Sequence, residues 1–282
     1  FLIMSSQEYP EIPSNREDDL HNLEHLEKAQ LILFMAGNQF MVMDDLLKAF
    51  QKRHPEVEYI FYETLPPGFE LKQILACGAF FKGRLITGIP DIYTSVTEDA
   101  MKELLRKELI DKYHIYLHNR IILMVPEGNP ARIKTVNDLG RDDVRISQPG
   151  GMENITDYIL DMYEKAGGKE LVRKIMEEKR ADATTILTVV HHRETPLRIS
   201  KRTVDVGPVW FTELEHAKRK GLSVEAIEPG KGIDQRVRVN YYVAKFKNPP
   251  NPENAKKFLT FIFSEKAQMI YNEHGFVPHL KN

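Results

Sequence analysis

The chain has 282 residues, of which 42% are hydrophobic and 28% are charged, and its formal net charge is −2. This length and composition predict a folded globular protein of one large or two ordinary domains. The balanced charge argues against a polybasic surface for nucleic acid or membrane. Cys77 is the only cysteine, which excludes an intramolecular disulfide and a cysteine-rich metal site. No run approaches the roughly 20 apolar residues needed to span a bilayer.

The first 28 residues form an acidic lead-in to the rest of the chain. Ser14 or Asn15 is a suitable N-cap for a short helix, which either docks on the folded body or stays mobile. Phe1–Met4 is short and apolar, and no cleavable signal peptide can be read from it. The residues alone therefore leave the cellular compartment open.

From Leu31 the chain alternates between apolar runs and amphipathic segments. Three strand-to-helix units in succession favour a parallel sheet with right-handed crossover connections. This part of the chain therefore predicts an α/β lobe. The predicted strands cover residues 31–36, 57–63 and 90–95, and the predicted helices cover 40–54, 69–83 and 97–109.

A long β-rich segment over residues 113–129 interrupts this alternation and predicts a crossing into a second lobe. A second extended run over 237–250 leads into two closing helices, 251–264 and 265–275. Between the two extended runs the predicted strands cover 143–147, 183–190, 203–210 and 223–229, and the predicted helices cover 152–168 and 211–221.

His191, His192 and Arg193 stand directly before a predicted helix start. Thr195 is a good N-cap, and Pro196 suits the first helical position, where its missing N–H costs nothing. A helix N-terminus carries unpaired N–H groups and a partial positive charge, which the three preceding side chains would reinforce. The segment has the features of an anion site, although a solvated loop with ordinary surface charges explains it equally well.

Several segments, in the same order along the chain, resemble the type II solute-binding proteins of ABC importers, and above all the periplasmic molybdate-binding protein family. They are PDIYTSVTEDAM, HNRIILMVPEGNP, KTVNDLGRDDVRISQPGG, TVDVGPVWFTEL and AKKFLTFIFSEKAQMIYNEHGF. The resemblance covers roughly residues 30 to 278, and the last segment matches the family's closing pattern closely.

The resemblance implies an α/β fold of two lobes, each a mixed sheet flanked by helices, joined by two crossing strands. Ligand would bind in the cleft between the lobes, which open and close to capture it. A periplasmic or extracytoplasmic location and an ABC-transporter permease as partner are also implied. We further expect a monomer that binds no nucleic acid. The lead-in would be residues 1–28, lobe 1 residues 29–115 and 236–282, and lobe 2 residues 116–235.

Loops after the three predicted strands of lobe 1 supply candidate ligand residues. In the first loop, side-chain amides stand where the family usually carries hydroxyl groups. For each residue taken alone, ordinary turn and capping chemistry is the simpler explanation. The candidates in this lobe are Gly37, Asn38, Gln39, Gly68, Ser95 and Thr97.

The candidates in lobe 2 come from two loops that precede predicted helix starts, where glycine allows close approach of the backbone to a ligand. Glu153 lies in the same turn and would repel an anion unless it points away from it. A carboxylate near a helix N-terminus is itself favourable by roughly 0.3 to 1 kcal/mol, so a structural role suffices for this side chain. The candidates are Gly151, Met152, Asn154, His191, His192, Arg193 and Thr195.

A divalent or trivalent metal ion is the alternative ligand. Alternate residues of an extended chain point to opposite sides. If His191 and Arg193 face the ligand the site is cationic, whereas His192 and Glu194 in that position suit a metal. A metal needs three or four ligands, and the set would be His192, Glu194, Glu153 and Tyr242.

An enzyme on the same fold is the remaining alternative, since fold does not fix function. The sequence carries no GxSxG elbow, HExxH helix, P-loop or GxGxxG turn. No nucleophile is paired in sequence with His191 or His192, either of which could act as a general base. We therefore expect a solute-binding protein without a cofactor, which captures a small oxyanion or carboxylate.

Overall fold

The computed structural model describes residues 8–151, 153–189, 194–230 and 232–279. The chain divides into two compact units. The first comprises Phe1–Leu117, Asn240–Asn272 and Pro278–Asn282, and the second comprises His118–Val239 and Glu273–Val277. Both units contain strands and helices, which confirms the predicted α/β class.

The bounds of the regular elements follow the predicted alternation closely in most places. The strands are β1 Leu20–His21, β2 Leu31–Phe34, β3 Ile60–Glu63, β4 Gly78–Phe81, β5 Arg84–Thr87, β6 Ile92–Ser95, β7 His114–His118, β8 Ile121–Pro126, β9 Ile146–Gln148, β10 Thr185–Leu187, β11 Gly207–Trp210, β12 Val224–Ile227, β13 Asn240–Lys245 and β14 Val277–Pro278. The helices are α1 Met43–Arg53, α2 Pro67–Leu75, α3 Glu98–Arg106, α4 Ile155–Arg173, α5 Lys179–Ala181, α6 Glu194–Ser200, α7 Phe211–Arg219, α8 Pro252–Ile262 and α9 Glu265–Glu273.

A seven-stranded sheet, in the order β1-β3-β2-β6-β13-β7-β14, forms the centre of the first unit. β2 pairs in parallel with both β3 and β6, and each of these three strands is buried along its whole length. Continuous burial is the pattern expected for parallel strands that are covered on both faces. The helix α1 is buried along one face, and its Phe50 ring lies 5.2 Å from that of Phe258 in α8.

The lead-in docks on the first unit. Its β1 pairs antiparallel with β3, so that Leu20 is opposite Glu63. Ile12 is buried, and its backbone N–H donates to the carbonyl of Phe80 over 2.7 Å. The chain upstream of β2 is therefore part of the folded unit over residues 10–21.

The helix predicted over residues 69–83 is wrong in its second half. α2 ends at Leu75, and β4 and β5 then form an antiparallel hairpin. The hairpin turn lies at Lys82 and Gly83, which have φ values of 48° and 78°. Two successive residues with positive φ make the tight turn whose twist suits a two-residue hairpin, so the chain reverses here.

The second unit contains an antiparallel sheet in the order β11-β8-β12 and a parallel pair formed by β9 and β10. α4 begins at Ile155 and runs past the predicted end of its helix at residue 168. Gly167 and Gly168 have non-helical backbone angles, with φ of 70° at Gly168, and they break the helix there. The chain then continues helically to Ala181. Among the residues that are described, no helix has the length and apolar character that a membrane crossing requires.

Asp91 ties the C-terminal part of the first unit to its sheet. The carboxylate is fully buried. It accepts hydrogen bonds from the backbone N–H of Ile32 over 2.7 Å and from the backbone and side-chain N–H groups of Asn251 over 2.6 and 3.0 Å. Asn251 immediately precedes α8, so one side chain joins β2 to the segment that returns from the second unit.

Asp91→Ala should lower the free energy of unfolding by about 2 to 4 kcal/mol, because three N–H donors lose their acceptor inside the protein. Urea denaturation followed by circular dichroism measures the loss. Asp111→Ala is the matched control, since that carboxylate is exposed and lies 3.6 Å from Lys247. The control should change stability by no more than about 0.5 kcal/mol, and equal losses in the two variants would contradict this role for Asp91.

Candidate functional site

The candidate ligand residues of the first unit lie at one edge of its sheet. They follow the C-terminal ends of β2, β3 and β6, and β2 is parallel to both of the others. The loops after parallel strands meet at the carboxyl edge of a sheet, where α/β proteins commonly bind ligands. We name these three loops the first loop (residues 35–39), the second loop (64–68) and the third loop (96–97).

Hydrogen bonds and close packing join the first and second loops to each other and to β6. The backbone N–H of Ala36 donates to Thr94 Oγ1 over 2.8 Å, and that of Met35 donates to the carbonyl of Glu63 over 3.0 Å. A Cβ at Gly37 would lie 2.8 Å from the carbonyl oxygen of Thr64, so only glycine fits there without a shift. The first loop is therefore held closely against the second.

Asn38 offers a side-chain amide that the protein uses only in part. Its Nδ2 makes a short hydrogen bond with the hydroxyl of Tyr241. Its Oδ1 is buried and has no partner among the described residues. The two ends of an amide can be exchanged, in which case the Tyr241 hydroxyl donates to Oδ1 and the amino group takes the unpartnered position. In either orientation one polar atom of Asn38 remains for a ligand.

Gln39 is engaged within the protein. It is fully buried, its Nε2 donates to Thr94 Oγ1 over 3.0 Å, and its Oε1 accepts from the hydroxyls of Tyr116 and Tyr271 over 2.8 and 3.1 Å. An amide that is satisfied at both ends supports its loop from within. Sequence reasoning treated Gln39 as equivalent to Asn38, because only the fold brings the tyrosines to it.

The other candidates of this unit differ in accessibility. Gly68 is exposed in the first turn of α2, and nothing lies within 4 Å of the position a Cβ would take. Ser95 is fully buried, and its hydroxyl accepts the backbone N–H of Thr97 over 3.2 Å. Thr97 is exposed immediately before α3. Gly68 and Thr97 therefore face solvent, whereas Ser95 shapes the third loop.

Two buried carboxyl groups, Glu63 and Glu70, flank the second loop, and sequence reasoning missed both. Glu63 Oε1 accepts a hydrogen bond from Gln73 Nε2 over 2.9 Å. Burial raises the pKa of Glu63 to about 8, against the opposing effect of that hydrogen bond. Burial, followed by the proximity of Glu63 and Asp19, raises the pKa of Glu70 well above its usual value. Burial therefore favours the protonated form of both groups.

Gly151 and Asn154, two of the candidates of the second unit, follow the carboxyl end of β9, which pairs in parallel with β10. Gly151 and Asn154 are exposed in the loop that leads into α4. Glu153 is tied into this loop: its Oε1 accepts the backbone N–H of Gly150 over 3.3 Å and, through a short hydrogen bond, the hydroxyl of Thr188. The carboxylate joins the ends of β9 and β10, which is a structural role.

The N-cap prediction for Thr195 is wrong. Thr195 lies within α6 and is fully buried, and its hydroxyl is 2.9 Å from that of Ser147. Glu194 instead accepts the backbone N–H of Val189 over 2.8 Å and pairs with Arg198 over 2.9 Å. Because the Thr195 hydroxyl is needed inside the unit, the residue cannot cap the helix. Met152, His191, His192 and Arg193 lie outside the described residues.

The proposed metal ligands that the structure describes are engaged in other contacts. Glu153 and Glu194 hold backbone and side-chain donors within the second unit, as given above. Tyr242 belongs to β13 of the first unit, where its hydroxyl accepts Asn240 Nδ2 over 3.4 Å. Over residues 8–151, 153–189, 194–230 and 232–279, no group of three or more His, Cys, Asp or Glu side chains could hold a metal ion.

A family model for bacterial extracellular solute-binding proteins matches residues 31–277. The chain belongs to this family. The match covers both units and leaves out only the lead-in and the last few residues. No curated protein sequence is significantly similar to the chain.

Solved structures with the same fold include several binding proteins of transporters. The solute-binding protein described here resembles the substrate-binding domain of a putative molybdenum ABC transporter from Clostridium difficile, with a TM-score of 0.66, 18% identity and coverage of 89% of this chain and 99% of that one. The sulfate-binding protein SubI from Mycobacterium tuberculosis H37Rv has a TM-score of 0.66, 16% identity and coverage of 88% and 85%. Iron-bound HitA from Pseudomonas aeruginosa has a TM-score of 0.66, 15% identity and coverage of 88% and 85%. These similarities confirm the two-lobe binding-protein fold.

Glu63 makes the stability of this solute-binding protein depend on pH. The unfolded chain loses the proton near the ordinary value of 4.5, whereas the folded protein holds it up to about 8. The contribution to stability is therefore complete below about 4.5 and is lost as the pH rises towards 8.

Glu63→Gln should remove the part of the pH dependence of the free energy of unfolding that is due to Glu63. As the pH rises from 5 to 8, the variant should therefore gain stability relative to the parent by on the order of 2 to 4 kcal/mol. Urea denaturation at several pH values measures it. Glu58→Gln, at an exposed position, is the control and should leave the pH dependence of the free energy of unfolding unchanged. A Glu63→Gln variant with the parental pH dependence would show that the buried carboxyl is ionised in the folded protein.

Proposed function

We propose that this solute-binding protein captures a small oxyanion or carboxylate for uptake by an ABC importer, with loops of each unit contributing donors. The observation that carries the proposal is the half-used amide of Asn38, at the carboxyl edge of the first unit's sheet. With the amide exchanged, so that the Tyr241 hydroxyl donates to Oδ1, its amino group is a neutral donor in a loop that the packing of Gly37 holds in place. The exposed Gly68 and Thr97 lie in the neighbouring loops.

In the second unit the proposed contributors are Gly151 and Asn154, in the loop before α4. α4 has the aligned peptide dipoles that favour an anion near its N-terminus. Met152, His191, His192 and Arg193 remain proposed contributors on the basis of the sequence. Thr195 is too buried to contribute its hydroxyl directly.

The energetics are compatible with such a site. Hydrogen bonds to a charged group contribute roughly 1.5 to 3 kcal/mol each. About five donors then support micromolar binding, near −8 kcal/mol, after the cost of association. Neutral donors suffice for this affinity, and a cationic Arg193 would add to it.

The anion is favoured over a metal by the state of the carboxylates. Iron-bound HitA has a similar fold, which supports the metal alternative. Glu153 and Glu194, however, already accept hydrogen bonds from N–H and O–H groups of their own unit. Displacing those donors to bind a metal would leave them unpaired, at a cost of roughly 1 to 3 kcal/mol each. Two of the similar structures, the substrate-binding domain of a putative molybdenum ABC transporter and a sulfate-binding protein, also support an anion.

The proposal extends to the setting of the protein. We place it outside the cytoplasmic membrane, as a monomer that delivers its ligand to an ABC-transporter permease. Catalysis is not part of the proposal, because no described carboxylate, hydroxyl or imidazole in the three loops is paired as a nucleophile with a base.

A thermal-shift titration against molybdate, tungstate, sulfate, phosphate, small carboxylates and divalent metals tests the proposal. A ligand at 100 times its Kd stabilises the folded protein by about 2.7 kcal/mol, which is a readily measured shift. We expect stabilisation by one anion, with affinity reduced about tenfold or more in Asn38→Ala and in Arg193→Ala.

Asn137→Ala is the control for the Asn38 variant, because Asn137 is exposed and its amide donates only to a backbone carbonyl, that of Ala166. It should bind the anion as the parent does. Stabilisation by a metal alone, abolished in His192→Ala, would replace the anion with the metal alternative. Unchanged anion affinity in a folded Asn38→Ala variant would remove the first loop from the site.

A further inference from the structure

Three buried tyrosines surround the first loop. Tyr116, Tyr241 and Tyr271 all have side chains that are fully buried in the first unit. Tyr116 lies in β7, Tyr241 in β13 and Tyr271 in α9, so they come from widely separated parts of the chain. The rings of Tyr116 and Tyr271 also contact each other edge to face, with centroids 5.9 Å apart.

All three hydroxyls meet the first loop at two neighbouring residues. Tyr116 and Tyr271 both donate to Gln39 Oε1, and Tyr241 is hydrogen-bonded to Asn38 Nδ2. A buried tyrosine hydroxyl needs a polar partner, and here the loop supplies one for each ring. The loop conformation and the positions of these three side chains therefore depend on one another.

The three tyrosines all lie close to points where the chain passes from one unit to the other. The chain passes between the units at 117/118, 239/240, 272/273 and 277/278. Tyr116, Tyr241 and Tyr271 each lie within two residues of one of the first three points.

We propose that Tyr116, Tyr241 and Tyr271 are positioning residues that transmit occupation of the first loop to the connections between the two units. The proposal rests on the proposed function only in taking the first loop as a ligand loop. A ligand that binds the remaining polar atom of Asn38 holds this side chain in place and so strengthens its hydrogen bond with the Tyr241 hydroxyl of β13. Gln39 keeps the loop attached to β7 and α9 with or without ligand.

Hydrogen exchange measured by mass spectrometry tests the coupling without any ligand. Asn38→Ala removes one hydrogen bond of the Tyr241 hydroxyl, and exchange in residues 238–243 should become about threefold faster or more. Tyr241→Phe should accelerate exchange in residues 36–42 by about fivefold, because the loop loses one of its attachments. Exchange in residues 121–126 of β8 should be unchanged in both variants, which separates this coupling from general destabilisation.

Tyr62→Phe is the matched control. Tyr62 is also a buried tyrosine of the same sheet, but its ring stacks on that of His21, with the centroids 4.2 Å apart. It should leave exchange in residues 36–42 unchanged. Equal acceleration in Tyr62→Phe and Tyr241→Phe, or unchanged exchange in residues 238–243 of Asn38→Ala, would overturn the proposal.

Sodium molybdate and sodium sulfate are the probes for the ligand arm. In the parent protein a bound anion should slow exchange in both residues 36–42 and residues 238–243. In Tyr241→Phe it should slow exchange in the loop alone, and equal protection of both segments would overturn the coupling. If neither anion protects residues 36–42 of the parent, the proposed function fails for these anions, while the unliganded variants still decide the coupling.

Discussion

The parallel ladder that joins β2 to β3 on one side and to β6 on the other determines where the candidate residues of the first unit lie. Parallel pairing sends all three strands towards the same edge, so the loops that follow them meet there. The buried carboxylate of Asp91 fixes the same sheet to the segment that returns from the second unit. The tyrosines beneath the first loop then reach it from β7, β13 and α9, which this arrangement brings together.

The sequence predicts most of the elements, because the physical signals are local. β2 is a continuous apolar run, β3 consists of apolar and aromatic residues up to Glu63, and the helices after them have apolar residues at helical spacing. The hairpin of β4 and β5 is not predictable in this way, since the run from Ile74 to Phe81 is equally compatible with a buried helix. The positive φ values at Lys82 and Gly83 exclude a continuous helix, because two successive residues of this kind cannot continue one.

The candidate site is predictable in outline and not in the role of each side chain. Position after a strand correctly places Asn38 and Gln39 in the first loop. Asn38 is available to a ligand and Gln39 is not, and this difference depends on tyrosine partners that are 77 to 232 residues away in sequence, such as Tyr116 and Tyr271. Thr195 is a similar case, because its hydroxyl is paired with Ser147, 48 residues earlier. Long-range hydrogen bonds of this kind leave no local signal.

The buried glutamates bear directly on whether an anion suits the first unit. Two carboxylates beside the second loop would repel an anion if they were ionised. Burial instead raises the pKa of Glu63 to about 8 and that of Glu70 well above its usual value, which favours the neutral form of both. In the second unit the charge of Glu153 is balanced by hydrogen bonds from Gly150 and Thr188. The acidic residues near these loops are therefore compatible with an anionic ligand. Burial favours the neutral form of Glu63 and Glu70, and hydrogen bonds occupy the carboxylate of Glu153.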